Sequence, residues 1–138
     1  MLEFISESAE NTEEIGAQIY NLFKDRSVFA LRGDLGAGKT ALTRGIAKAA
    51  NSSDGVSSPT YTIVNEYRGD RKIAHFDMYR IAGSDGLYEI GWEDYLDSGA
   101  LCVVEWSENV EDAMPPDAVI ISIEKTDENT RKIVVDPR

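Results

Sequence analysis

Apolar and polar positions along the chain change period repeatedly, and each change marks the edge of a helix or a strand. After Ser8, the apolar residues Ile15, Ile19, Leu22 and Phe23 recur at helical spacing on one face, with Asn11 and Glu14 in cap-like spacing at the start. The run 27–32 then places Val28, Phe29, Ala30 and Leu31 consecutively, the pattern of a strand covered on both faces, and it leads straight into a glycine-rich turn. A second helix is predicted from Thr40 to about Ala50, where Ala and Leu are frequent and no proline intervenes.

Residues 51–55 and Ser57-Ser58-Pro59 read as loop, followed by a β-rich stretch from Thr60 to Val64. The polar group Arg68-Gly69-Asp70-Arg71 separates that stretch from Lys72–Asp77, so the two are expected to pair as a hairpin and make the sheet mixed. Between Gly83 and Asp97, Leu87, Ile90, Trp92, Tyr95 and Leu96 are spaced among acids as in one or two short helices. Leu101–Val104 is another buried-strand pattern, ending at Glu105-Trp106, and Ala118–Ile123 with Lys132–Val135 predicts a closing hairpin. The order strand, helix, strand with hairpins added describes a single α/β domain over residues 1–138, a mixed and partly antiparallel sheet flanked by helices.

Composition agrees with one folded core. The chain has 138 residues, 42% hydrophobic and 28% charged, which is enough apolar material for a single domain and too little length for two. Its 14 basic and 25 acidic residues leave a net charge of −11, which argues against nonspecific binding to nucleic acid or to an anionic membrane. The one cysteine, Cys102, excludes a disulfide framework within the chain and a cysteine-based zinc site. The one histidine, His75, cannot build a multi-histidine metal site and reads as a structural residue, which leaves oxygen ligands and therefore Mg²⁺ as the metal chemistry to expect. The N-terminal residues carry no basic stretch followed by an apolar run, and no segment approaches the ~20 apolar residues of a membrane span. The expectation is a cytoplasmic protein without a membrane anchor.

The chemistry is concentrated in Gly33-Asp34-Leu35-Gly36-Ala37-Gly38-Lys39-Thr40, which matches Gly-x-x-x-x-Gly-Lys-Thr between a predicted strand and a predicted helix. That is the phosphate-binding loop of P-loop NTPases. Gly36 and Gly38 let backbone N–H groups turn toward phosphate oxygens, Lys39 reaches the β- and γ-phosphates, and Thr40 offers a hydroxyl to Mg²⁺. Gly33 starts the turn, Leu35 and Ala37 are compatible with it, and Asp34 and Ala41 complete the nucleotide-binding stretch. The N-terminus of the following helix adds a dipole that favours the anion.

Such a loop works with a carboxylate at the end of a neighbouring strand. Asp77 and Glu105 both qualify, each being the first acid after an apolar strand, so both are candidate metal and catalytic residues. Thr60 is a candidate for a second metal oxygen from a segment that responds to the γ-phosphate. Arg80 and Trp106 lie close in sequence to the two acids: Arg80 is a candidate for phosphate contact or a surface salt bridge, and Trp106 for contact with nucleotide or partner or a core aromatic.

Five stretches together resemble the TsaE (YjeE) family: the phosphate loop, Ser58-Pro59-Thr60-Tyr61, His75-Phe76-Asp77-Met78-Tyr79-Arg80, Glu89–Tyr95 and Glu105-Trp106. The resemblance covers nearly the whole chain, and the histidine-to-arginine stretch and the Glu-Trp pair are its most selective parts. It implies an ATPase, with ATP and Mg²⁺ bound at the loop, that acts with a TsaD-like transferase subunit and its inactive TsaB-like paralogue. Together these modify the adenosine next to the anticodon of tRNAs reading ANN codons, with ATP hydrolysis supporting repeated turnover. It also implies that Asp77 stands in for the metal-supporting acid and that Glu105 positions the attacking water. Ile90-Gly91-Trp92 is a looser variant of the family pattern and carries no implied function.

Other readings differ in what they require. A small GTPase needs a guanine-reading Asn-Lys-x-Asp, which the chain lacks, and a small-molecule kinase needs an arginine-rich lid, whereas the arginines here are scattered. A nucleotide-gated binding module uses the same loop as an ATPase, and only turnover separates the two. The 83–97 segment, with Tyr88, Trp92 and Tyr95 among acids, is a candidate partner surface or a packed amphipathic cover. The net acidity implies that tRNA is reached through partners, which in turn would present a basic patch to this chain.

Overall fold

The computed structural model describes residues 1–34, 36–57, 63–81 and 83–138. In chain order the elements are β1 (Leu2–Ser6), α1 (Ala9–Leu22), β2 (Val28–Arg32), α2 (Lys39–Ala49), β3 (Val64–Tyr67) and β4 (Ile73–Asp77), followed by α3 (Ser84–Glu89), α4 (Trp92–Asp97), β5 (Leu101–Glu105), a 3-10 segment (Ser107–Ala113), β6 (Val119–Lys125) and β7 (Arg131–Asp136). The strands form a seven-stranded sheet in the order β1-β7-β6-β2-β5-β4-β3. Its centre is parallel, since β6, β2, β5 and β4 run together, and both margins are antiparallel, through β6/β7 and β7/β1 on one side and β3/β4 on the other. Among the described residues no helix is long and apolar enough to cross a membrane.

Alternation along the central strands divides the core in two. Phe29 and Leu31 of β2, with Leu101 and Val103 of β5, face the layer formed by α1 and α2. Val28, Ala30, Cys102 and Val104 face the other layer, with α3, α4 and the 3-10 segment. There Phe76 meets Trp92 and Tyr95 edge-on, each with ring centroids 5.2 Å apart. Helices α1 and α2 approach so closely that a Cβ on Gly45 would lie 1.8 Å from the carbonyl oxygen of Glu13, and one on Gly16 would lie 2.3 Å from that of Leu42.

The mixed sheet, both hairpins, the two short helices and the strand–loop–helix unit follow the periodicities in the sequence. Four details differ. Ser8, not Asn11, caps α1, because its hydroxyl accepts the Asn11 N–H at 3.0 Å. The buried face of α1 is Thr12, Ile15, Gly16, Ile19 and Tyr20, so Leu22 points outward and is 59% exposed. The strand expected at Thr60–Val64 is described at Val64–Tyr67; residues 60–62 lie outside the described residues. A seventh strand, β1, pairs with β7 where the sequence carries only a short, mostly exposed alternation.

Candidate functional site

The C-terminal ends of the parallel strands converge where β2 gives way to the loop, the position at which open α/β sheets bind ligands. Gly33 cannot carry a side chain there, because a Cβ would lie 2.4 Å from the carbonyl oxygen of Ile123 in β6. Gly38 starts α2 at φ 109°, a left-handed value that favours glycine. The loop is braced from behind by Arg131 at the start of β7, whose Nε donates to the Ala37 carbonyl at 2.8 Å and whose Nη2 donates to the Gly36 carbonyl at 3.3 Å. Nothing in the sequence singles Arg131 out, since its partner lies far away along the chain.

One cavity of about 300 Å³ brings together Gly36, Ala37, Gly38, Lys39 and Thr40 with Asp77, Glu105 and Trp106. Asp77 and Glu105 enter it side by side because they are register partners at the ends of β4 and β5. Met78 N–H donates to the Glu105 carbonyl at 3.0 Å and ties the two strand ends together. Asp77 Oδ1 accepts the Tyr79 N–H at 2.9 Å, which fixes that carboxylate at the strand end.

Lys39 is 5% exposed. Its Nζ donates to the Gly33 carbonyl and, at 3.1 Å, to the Asp34 carbonyl, and it stands 4.1 Å from the centroid of the Trp106 ring. Burial pushes its ammonium below the usual 10.5, while Glu105, Glu108, Asp77 and Asp34 pull it back up. Trp106 adopts a left-handed φ of 59° at the start of the 3-10 segment, and its ring packs on Tyr79 with centroids 4.9 Å apart. A cation held by carbonyls and an aromatic face beside open loop amides is arranged to exchange those partners for anionic oxygens.

The remaining candidates sit elsewhere. Arg80 is exposed and lines a separate cavity with Ile81, Ser84, Asp85 and Asp112. Ala41 borders a third cavity with Thr12, Asn129 and Arg131. Leu35 and Thr60 lie outside the described residues. Trp92 is 1% exposed and donates its indole N–H to the Ala113 carbonyl at 3.2 Å, so it belongs to the packed cover and not to a partner surface, whereas Tyr88 is exposed. His75, expected to be structural, touches Glu105 directly: its Nε2 is hydrogen-bonded to Glu105 Oε2. Its position two residues before Asp77 was the only hint of this in the sequence.

The donor set suits a hard cation. Thr40, Asp77 and Glu105 offer oxygen only and face one space, the chemistry Mg²⁺ prefers. Among the described residues no cluster of three or more His, Cys, Asp or Glu side chains suited to a metal occurs, so any ion there would depend on a phosphate chain for further ligands.

Comparison with known proteins converges on one family. A model described as "Threonylcarbamoyl adenosine biosynthesis protein TsaE" matches residues 6–133. A tRNA threonylcarbamoyladenosine biosynthesis protein TsaE of Aquifex aeolicus is 40% identical over 134 residues, covering 95% of this chain and 92% of that protein. The protein of the same name from Treponema pallidum is 33% identical over 131 residues, covering 95% and 97%. The crystal structure of Bacillus subtilis YdiB superposes with a TM-score of 0.74 at 28% identity, covering 99% of this chain and 86% of that one.

Proposed function

The chain belongs to the TsaE family, whose members are named tRNA threonylcarbamoyladenosine biosynthesis proteins, and from that premise we propose that it is the Mg²⁺-dependent ATPase subunit of that modification. The observation that carries the reading is the shared cavity in which the loop residues Gly36–Thr40 meet Asp77, Glu105 and Trp106. A phosphate loop alone supports binding; a loop opposed by two carboxylates supports hydrolysis.

In this reading the amides of Gly36, Gly38 and Lys39 cradle the phosphates, and the helix dipole of α2 adds to their pull. The Lys39 ammonium leaves the Gly33 and Asp34 carbonyls for the β- and γ-phosphate oxygens. Trp106 flanks that cation and excludes water from one side of it. Thr40 and Asp77 would hold Mg²⁺, with Glu105 beside them and Thr60 as the candidate from the segment outside the described residues; the ion supplies neutralisation of phosphate charge when bound. Glu105 accepts a hydrogen bond from the water that attacks the γ-phosphorus in line, as the P–O bond to the leaving ADP breaks.

Asp77, Glu105 and Lys39 sit on separate elements, so small displacements at a partner surface alter their alignment, and turnover by the isolated chain is expected to be weak. The proposed partners are a TsaD-like transferase and its TsaB-like paralogue, which would carry the tRNA that a chain of net charge −11 repels. The test is reconstitution: ATP hydrolysis and tRNA modification are followed as each protein, and then Mg²⁺, is left out. Hydrolysis that needs Mg²⁺ and rises when the partners are present supports the reading. Turnover by the chain alone as fast as in the complex counts against partner dependence, and no hydrolysis under any combination favours a nucleotide-gated binding module.

A further inference from the structure

Three buried side chains run diagonally across the sheet and end at the candidate site. In β3 and β4, Tyr67 is the register partner of Ile73, and His75 is the partner of Val103 in β5. Glu105 lies two positions beyond Val103 on the same face, which brings it within reach of His75. His75 is fully buried and Glu105 is 4% exposed. The His75 Nε2 bonds Glu105 Oε2, and its Nδ1 lies 3.1 Å from the Tyr67 hydroxyl. That hydroxyl in turn lies 3.1 Å from the Ser57 carbonyl and 3.4 Å from the Ser57 nitrogen.

An ionised Glu105 only accepts, so Nε2 carries the hydrogen between them. Either Nδ1–H then donates to Tyr67, whose hydroxyl donates to the Ser57 carbonyl, or Tyr67 donates to Nδ1 and accepts the Ser57 N–H. Both arrangements fix an N–H of His75 on Oε2 of Glu105.

Among the carboxylates around Lys39, Glu105 pulls hardest on the ammonium, yet Lys39 donates to the Gly33 and Asp34 carbonyls. A carboxylate free to rotate would close on that charge and occupy both groups. With Oε2 taken by His75, Oε1 is left for the cavity that Glu105 lines.

We propose that His75, braced by Tyr67, is a positioning residue that holds the Glu105 carboxylate with Oε1 turned toward the phosphate cavity. This rests on the reading of Glu105 as the group that orients the attacking water. His75 acts through Glu105 and does not itself touch ATP.

The experiment is single-turnover ATP hydrolysis with the full chain in excess over ATP and Mg²⁺, alongside a direct measurement of ATP affinity and a thermal melt. His75→Phe, which has no donor, should slow hydrolysis about 10- to 100-fold while ATP affinity stays within about threefold. His75→Gln restores an N–H near the Nε2 position and should recover most of the rate. Tyr67→Phe keeps the ring, removes only the hydroxyl and should slow hydrolysis several-fold, so it decides the matter if His75→Phe does not fold. In a Glu105→Ala background, His75→Phe should cause no further loss.

A loss confined to ATP affinity overturns the proposal. So does a further rate loss in the Glu105→Ala background, or wild-type rates in His75→Phe and Tyr67→Phe when Glu105→Ala is inactive; that last result leaves the hydrolysis reading standing. A Glu105→Ala variant that hydrolyses ATP at the wild-type rate removes the role of Glu105 and the proposal together.

Discussion

Replacing Lys39 with methionine should move stability and ligand affinity in opposite directions. Lys39 is 5% exposed, and burial outweighs the attraction of the surrounding acids, so its ammonium is held below the usual 10.5. A lysine whose folded-state pKa is depressed binds fewer protons when folded than when unfolded across the window between the two values, and stability rises with pH through that window. Below the folded-state value the cost of burying the charge is fully present. Lys39→Met keeps the length of the stem and removes that cost, and the ligand-free chain should gain on the order of 1 kcal/mol, read as a melting temperature higher by roughly 2–5 °C. The gain should shrink as pH rises toward 10.5.

ATP binding should respond oppositely. A phosphate oxygen about 4 Å from the ammonium gains about 4 kcal/mol per unit charge at an effective dielectric near 20, so the variant should bind ATP about 10³-fold more weakly. Thermal melts of both proteins with and without ATP and Mg²⁺, paired with calorimetric titration, measure both quantities. A lower melting temperature for the ligand-free variant, or an ATP affinity within about threefold of wild type, would refute the reasoning.

Further outcomes follow from the packing and the site. Gly45→Ala places a Cβ against the Glu13 carbonyl at 1.8 Å and should cost about 3 kcal/mol or more, seen as a lower urea midpoint; an unchanged midpoint would show that α1 and α2 can separate freely. Of the two tryptophans, Trp92 is buried in the far layer and Trp106 lines the cavity, so nucleotide-induced fluorescence change should vanish in Trp106→Phe and persist in Trp92→Phe. Cys102 is fully buried, and burial pushes its thiol up to about 12 against the opposing pull of Arg71, so a thiol reagent at pH 8 should leave the native chain unmodified and react on unfolding. Association with the proposed transferase partner should weaken as salt rises if the acidic surface docks on a basic one, since that attraction is screened; affinity independent of salt would count against a role for the charge.

How much of this was legible in the sequence depends on how local each feature is. The placement of the glycine-rich loop was, because its residues are contiguous and lie between a run buried on both faces and an alanine-rich helix. Asp77 and Glu105 were legible as the first acids after apolar strands, and the register of β4 on β5 then places them side by side. The contact between His75 and Glu105 was not, since it arises only once those strands are neighbours. Arg131 was hidden for the same reason: it reaches the back of the loop because β7 lies beside β6, which lies beside β2. The edge strand β1 was missed because Leu2 and Ile5 are exposed, so it carries little hydrophobic pattern, and its pairing with β7 is a contact between the two ends of the chain. The cap of α1 was misassigned because Ser8 and Asn11 both suit the position, and only backbone geometry decides between them.

The net charge of −11 takes on a specific meaning beside the site. In the proposed reading, a chain that repels polyanions would bind phosphate at one lysine and a few amides, and the four carboxylates around that lysine would discriminate against anions that arrive without a compensating cation.

The most direct test of the central claim is multiple-turnover tRNA modification in the reconstituted system with Glu105→Ala in place of the wild-type chain, after ATP binding by the variant has been verified. The account predicts that ATP hydrolysis and repeated modification are lost together. Repeated modification by a variant that binds ATP and does not hydrolyse it would contradict the account.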